Sequence, residues 1–347
     1  MSELAEVWLR SFKLERHEIE AKLEAARSLA WFHRFEVIKG SGIYTPGSAA
    51  RDYDHVFKYL DVDTSSFENM RVLDVGAATG GLSFFLEDCG ANVVALDPDD
   101  PNQNGFNVVH EIRNSSVTHT RTSVYDICPD QLGTFDIVFF FGVFYHLQHP
   151  LLALQRINSV CKPGALLIGG GTSSDRWFFN DDDDWTQGAD FESINSKRIL
   201  NRAVLNVKNL NELALAGFSA KPYLHDKTIW YLPNRSCLKE WLEASGFAVD
   251  GIATGSVPLY EFYDDRGDAR RKRRLLDWIP SRLRNNKIWP LERYRGNLNF
   301  KARYESEPTP EWPGPRMQQY QVPTRYELEQ LRRENELLKS KLEAPVA

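Results

Sequence analysis

Ten consecutive residues, Val72-Leu-Asp-Val-Gly-Ala-Ala-Thr-Gly-Gly81, restrict the folds open to this chain more than any other stretch of its 347 residues. An apolar run of strand length ends in a turn holding Gly76, Gly80 and Gly81, and a helix-compatible segment begins near Leu82. Glycine belongs in such a turn because a β-carbon would hold a ligand away from the backbone. Sixteen residues after Gly81, at the end of Val93-Val-Ala-Leu, stands Asp97, placed to accept hydrogen bonds from two ribose hydroxyls. Strand, glycine turn, helix and a second strand ending in an acid together predict a nucleoside-bearing ligand at the edge of a parallel sheet.

The details of the turn discriminate between ligands. A dinucleotide fingerprint aligns as Gly76-x-Ala78-x-x-Gly81 and puts alanine where a pyrophosphate needs the closest backbone approach. Asp74, which opens the turn, suits a cationic ammonium group better than phosphates. Short apolar runs at 71–75, 93–96, 117–121, 135–141 and 165–168 alternate with helix-compatible segments, which predicts a doubly wound α/β sheet. Runs at 248–257 and 297–304 add an antiparallel edge and bring the sheet to seven strands. Apolar residues at helical spacing predict one or two helices over 4–35, and further helices are expected at 52–59, 209–217 and 236–246, the last behind a serine cap.

As a set, Asp74-Val-Gly-Ala-Ala-Thr-Gly-Gly81, Ala95-Leu-Asp-Pro98 and Phe135-Asp-Ile-Val-Phe-Phe-Phe-Gly-Val-Phe-Tyr-His146 resemble the glycine, acidic and fourth-strand motifs of class I S-adenosylmethionine-dependent methyltransferases. The resemblance implies a Rossmann-like methyltransferase sheet and S-adenosyl-L-methionine as cofactor. At the matching positions it implies that Gly76 and Gly80 contact the methionyl part, Asp97 the ribose and Asp126 the adenine amino group. Asp74 and Ala78 complete the cofactor set, and Phe141 and Gly142 would lie under the methionyl moiety near the sulfonium.

A narrower likeness reaches further. Gly142-Val-Phe-Tyr-His-x-x-x-Pro-Leu, the stretch from Trp230 to Phe247, Trp31-Phe-His and Gly42-Ile-Tyr-Thr-Pro-Gly47 resemble the tRNA wobble-uridine carboxymethyltransferases and related proteins of unassigned substrate. In those enzymes two arginines follow the Tyr-His pair, whereas Leu147 and Gln148 follow here, and Asn297 stands about where a late arginine belongs. The arginines serve a carboxylated cofactor, so their replacement favours plain S-adenosylmethionine.

An alcohol acceptor must lose its proton, and His146, at the end of the fourth strand, is the first choice of general base. Tyr145 is a substrate-contact candidate, and His33 and Tyr44 would cover the pocket from the N-terminal segment. The leading function is O-methylation of a glycan, lipid-linked saccharide or other small-molecule acceptor. The alternatives are tRNA methylation at the wobble uridine and a non-catalytic dimeric scaffold.

The remaining chain supplies context. Residues 1–60 are read as an N-terminal helical capping segment, 61–307 as the catalytic domain with a lid insertion at 172–232, 308–325 as a Pro-rich linker and 326–343 as a coiled-coil helix. In that helix Leu328, Leu331, Asn335, Leu338 and Leu342 follow heptad spacing, which predicts a homo-oligomer. Ten Lys/Arg interleave with Trp278, Ile279 and Trp289 across 270–295, a pattern suited to a membrane surface or an RNA backbone. Asp181 to Asp184 in the insertion reads as a solvated run, and no metal site is expected. No secretory signal is visible and no apolar run approaches the roughly 18 residues of a membrane span. Together with four scattered cysteines, this predicts a cytoplasmic protein, peripheral at the inner face of the membrane if 270–295 binds lipid.

Overall fold

The structure, a computed structural model, describes residues 14–173, 214–218, 228–254, 261–262, 296–305 and 324–342. Along the chain these form α1 (Arg16–Ala25), β1 (Ala49–Ala50), α2 (Tyr53–Tyr59), β2 (Arg71–Val75), α3 (Gly81–Asp88), β3 (Asn92–Asp97), α4 (Phe106–Arg113), β4 (Thr118–Arg121), α5 (Pro129–Leu132), β5 (Phe135–Phe141), α6 (Pro150–Ser159) and β6 (Cys161–Ser173). They continue with β7 (Ala216–Phe218), β8 (Tyr231–Pro233), α7 (Arg235–Ala244), β9 (Phe247–Thr254), β10 (Glu261–Phe262), β11 (Gly296–Tyr304) and α8 (Arg325–Leu342).

Seven strands share one sheet in the order β4-β3-β2-β5-β6-β11-β9. The five from β2 to β6 run parallel, and β11 lies antiparallel between β6 and β9. The chain moves outward from β2 to β4 on one side and returns at β5 on the other. That switch point leaves a crevice beyond the carboxyl ends of β2 and β5, where ligands bind in open α/β sheets.

The sequence of β5 explains its central place. A parallel strand covered on both faces needs apolar side chains on both. Ile137, Phe139 and Phe141 join Val72 and the residues of α2, α3 and α4, while Val138 and Phe140 join Leu73, Val75, α6 and α7. Successive side chains alternate between faces, so one short run of sequence supplies two cores.

Several expectations need correction. Of the one or two helices expected over 4–35, residues 4–13 lie outside the described residues, and the described helix ends at Ala25, where the Ala26 carbonyl accepts from the Trp31 indole (2.8 Å). Residues 14–60 pack on the sheet, with Ile19, Leu23, Val37 and Phe57 in the same core as Val72 and Phe139. Of the helix expected at 209–217, most lies outside the described residues, and Ala216 and Gly217 are extended in β7, paired with β8. The cap of α7 is Asn234 rather than serine, its side chain accepting from the Cys237 amide. Residues 172 and 173, assigned to the insertion, finish β6.

At the C-terminus α8 opens with a capping box, Thr324 N donating to Glu327 Oε2 (2.5 Å) and Glu327 N to Thr324 Oγ1 (3.1 Å). Of its heptad side chains only Leu328 is described, and it is exposed. The basic segment 270–295, Asp181 to Asp184 and residues 308–323 lie outside the described residues.

Candidate functional site

The turn after β2 is built from left-handed backbone. Gly76, Ala78 and Gly80 have φ of 81°, 47° and 87°. A β-carbon at Gly76 would stand 2.4 Å from Val143 Cγ2, so glycine there lets the loop after β5 close onto the turn. At Gly80 it would meet Phe106 and Phe84 at 2.7 Å. Ala78 tolerates its unusual φ because both its backbone groups are held: its N donates to Asp97 Oδ2 (2.8 Å), and its carbonyl accepts from Asn104 Nδ2 (3.1 Å). Thr79, fully buried, accepts from the amides of Phe32 (3.1 Å) and His33 (3.3 Å) and so clamps the N-terminal segment onto the turn.

Two carboxyls end adjacent strands. Asp74 is buried, and Ser83 Oγ donates to its Oδ2 (2.6 Å). Burial pushes its pKa up to about 7, the Ser83 hydrogen bond opposing and the nearby Asp97 charge adding to the shift. Asp97 accepts from Ala78 N at Oδ2 and from Asp99 N at Oδ1 (2.9 Å). Burial raises its pKa too, against the pull of those two amides. A carboxylate has about four lone-pair sites, so Asp97 keeps acceptor capacity for two hydroxyls. Asp126 closes a short helical turn, Val124–Asp126, and its Oδ1 accepts from Arg325 N (2.9 Å) at the start of α8.

The end of β5 forms the other wall. Phe141 lies under the guanidinium of Arg51, 4.1 Å from the ring centroid, and Arg51 Nη2 donates to the buried Asn299 Oδ1 (3.1 Å) on β11. Gly142 takes φ of 77° and donates to the Gly170 carbonyl (2.7 Å). Tyr145 is buried and its carbonyl accepts from Trp230 N (2.8 Å). His146 Nδ1 lies 3.1 Å from the Thr228 carbonyl and 2.8 Å from Thr228 Oγ1.

The structure thus brings Asp74, Gly76, Ala78, Gly80 and Asp97 together, with Phe141 and Gly142 across the switch point from them. His33 joins this group: it is buried, its N bonds to Thr79, and burial, aided by the charge of Arg51, lowers its pKa to about 4. Tyr44 stands apart at the surface, 45% exposed, with Arg34 over its ring at 4.7 Å. Sequence reasoning missed Ser83, Asn104, Arg51, Asn299 and Thr228. Ser83 falls in the helix that the motif announces, but Arg51, Asn299 and Thr228 come from distant segments with no local signal.

S-adenosylmethionine fits this donor set: a buried carboxyl for an ammonium group, a second with spare acceptor sites for the ribose, and backbone stripped of side chains between them. A protein family described as "Methyltransferase domain" matches residues 49–252. The tRNA U34 carboxymethyltransferase of Cellvibrio japonicus is 24% identical over 237 residues, 67% of this chain and 60% of that protein. The chain therefore spans about 60% of the length of such curated relatives. A ubiquinone biosynthesis O-methyltransferase of Xanthomonas campestris is 35% identical over 99 residues, 28% of this chain and 41% of the relative. Among solved structures, a 1,6-didemethyltoxoflavin-N1-methyltransferase from Burkholderia thailandensis superposes with a TM-score of 0.41 at 14% identity, covering 73% of this chain and 84% of that one. With that family matched over more than half of the chain, and a doubly wound sheet beneath the glycine turn, this chain belongs to the methyltransferase-domain family.

Proposed function

We propose that this protein O-methylates a hydroxyl of a glycan or lipid-linked saccharide. When bound, S-adenosylmethionine supplies the electrophilic methyl group, and the protein's share is binding, orientation and removal of a proton. Asp97 accepts from the ribose, ionised Asp74 faces the methionyl ammonium, and Asp126 takes the adenine amino group. Gly76, Ala78 and Gly80 admit the cofactor to the backbone, with Phe141 and Gly142 beside the sulfonium.

One observation carries the choice of an oxygen acceptor: the tether of His146 to Thr228 beside the end of β5. With Nδ1–H donating to the Thr228 carbonyl, the imidazole lone pair is on Nε2, and Nε2 takes the acceptor's hydroxyl proton. Tyr145, whose ring centroid lies 4.0 Å from that of His146, orients it, and His33 and Tyr44 cover the pocket from the N-terminal segment. Residues 270–295 supply a membrane-surface contact for a lipid-linked acceptor, and 326–343 a homo-oligomer contact.

A second reading, methylation of tRNA, is favoured by the relatives named for tRNA U34. Leu147 and Gln148 speak against it, since neither can pair with a phosphate or a carboxylated cofactor as a cation would. The test is to incubate the protein with methyl-tritiated S-adenosylmethionine and a bacterial lysate, then digest with glycosidases or ribonuclease. Label released by glycosidases is expected. Label released by ribonuclease would establish the RNA reading in its place.

A further inference from the structure

Residues 34–55 fold over the outer face of α3 and leave a cleft of about 760 Å³ between them. That volume lies within the range of small-molecule sites, roughly 300–1,000 Å³. One end of the cleft is Gly81, the first residue of α3, together with Arg51, which stacks on Phe141 at the end of β5. The other end is Asp88 and Arg113. From Gly81 to Asp88 a helix rising about 1.5 Å per residue advances roughly 10 Å. The cleft is therefore an elongated trough leading outward from the glycine turn.

Its walls have a definite chemistry. Phe35, Tyr53 and Phe85 line it with aromatic rings, and Tyr44 stands exposed among the lining residues. Among the described lining residues, four cationic side chains, Arg34, Lys39, Arg51 and Arg113, are matched by four carboxylates, Glu36, Asp52, Asp54 and Asp88. Three of these carboxylates are held by partners within the protein. Glu36 takes the amides of Gly40 (2.7 Å) and Gly42 (2.9 Å), Asp52 caps α2 through His55 N (2.9 Å), and Asp88 pairs with Arg113.

We infer that this trough holds the non-reacting part of an uncharged, polyhydroxylated acceptor, an oligosaccharide laid along α3. The inference rests on the methyltransferase reading and gives that site its substrate class. Sugar rings offer C–H faces to aromatic rings and hydroxyls that both donate and accept, as the mixed walls require. A polyanion would meet as many carboxylates as cations and gain no net attraction. An acyl chain would strip water from charged groups without replacing their hydrogen bonds.

The test applies the full-length protein to a printed array of neutral, sulfated and sialylated glycans, with a single-stranded RNA oligonucleotide alongside. Binding confined to neutral glycans is expected. Tyr44→Ala, a change at an exposed ring that leaves the core intact, should weaken it about tenfold. Asp97→Ala should lose S-adenosylmethionine binding in calorimetry and keep the array signal, which separates the two sites. An empty array, a preference for anionic glycans or RNA, or a signal unmoved by Tyr44→Ala overturns the assignment of the trough. Failure of the wild-type protein to bind S-adenosylmethionine would instead overturn the methyltransferase reading on which it stands.

Discussion

At the scale of single residues, Asp74 is a carboxyl whose burial pushes its pKa up to about 7. A raised carboxyl pKa means that the folded state holds its proton more tightly than the unfolded chain does. The resulting stability is fully present below the unfolded pKa of about 4 and is lost as pH rises through about 7. Melting of the cofactor-free protein should therefore shift downward between about pH 4 and pH 7, and Asp74→Asn should flatten that part of the profile. Cofactor affinity should run the other way, rising across the same interval because an ammonium group selects the ionised carboxyl. A flat calorimetric affinity would remove Asp74 from the ammonium site. Gly76→Ala tests the turn itself: its φ of 81° and the 2.4 Å approach to Val143 predict a loss of about 1–2 kcal/mol in thermal unfolding. The positions of these residues were legible in sequence because each belongs to one short motif. Arg51 was not, since its partners Phe141 and Asn299 lie 90 and 248 residues away.

At the scale of elements, the joint between β8 and α7 concentrates several functions in one side chain. Asn234 Oδ1 accepts from Cys237 N (2.8 Å), which caps α7, and from Leu215 N (3.1 Å), which ties the residue just before β7 to the same corner. Because Asn234 is buried, alanine there leaves two amides without their acceptor, at a cost of about 1–2 kcal/mol. Asn234→Asp, which keeps the acceptor oxygen at this helix N-terminus, should recover most of that stability in a chemical denaturation series. The serine that sequence reasoning chose as cap, Ser236, lies inside the helix. Both residue types favour the cap position, and only the path of the preceding strand determines which one arrives there.

At the scale of the whole molecule, the described N-terminal residues and the sheet share one core, whereas α8 is joined to the domain at its beginning. Thr324 is buried, and Arg325 N reaches Asp126. The 18 residues of α8 are marginal as an isolated helix. The homo-oligomer proposed for 326–343 makes a direct prediction. Deleting the residues after Val322 should lower the mass in light scattering, and an unchanged mass would rule out α8 as the oligomer contact. The same deletion removes the Arg325–Asp126 contact, so comparing cofactor affinity before and after tests the adenine role proposed for Asp126.

The sequence by itself determined the switch point and the two acids beside it. The strand–turn–helix pattern, the acid at the end of β3 and the apolar run of β5 are local, and each follows from backbone conformation or from burial on both faces. It also determined the antiparallel edge, through two β-rich runs after the parallel units. Only the tertiary structure decided how the N-terminal segment lies on the glycine turn, that Arg51 puts a guanidinium over Phe141, and that His146 is held by Thr228. These contacts join residues tens to hundreds of positions apart, and no periodicity or motif encodes a pairing that exists only once the sheet has closed.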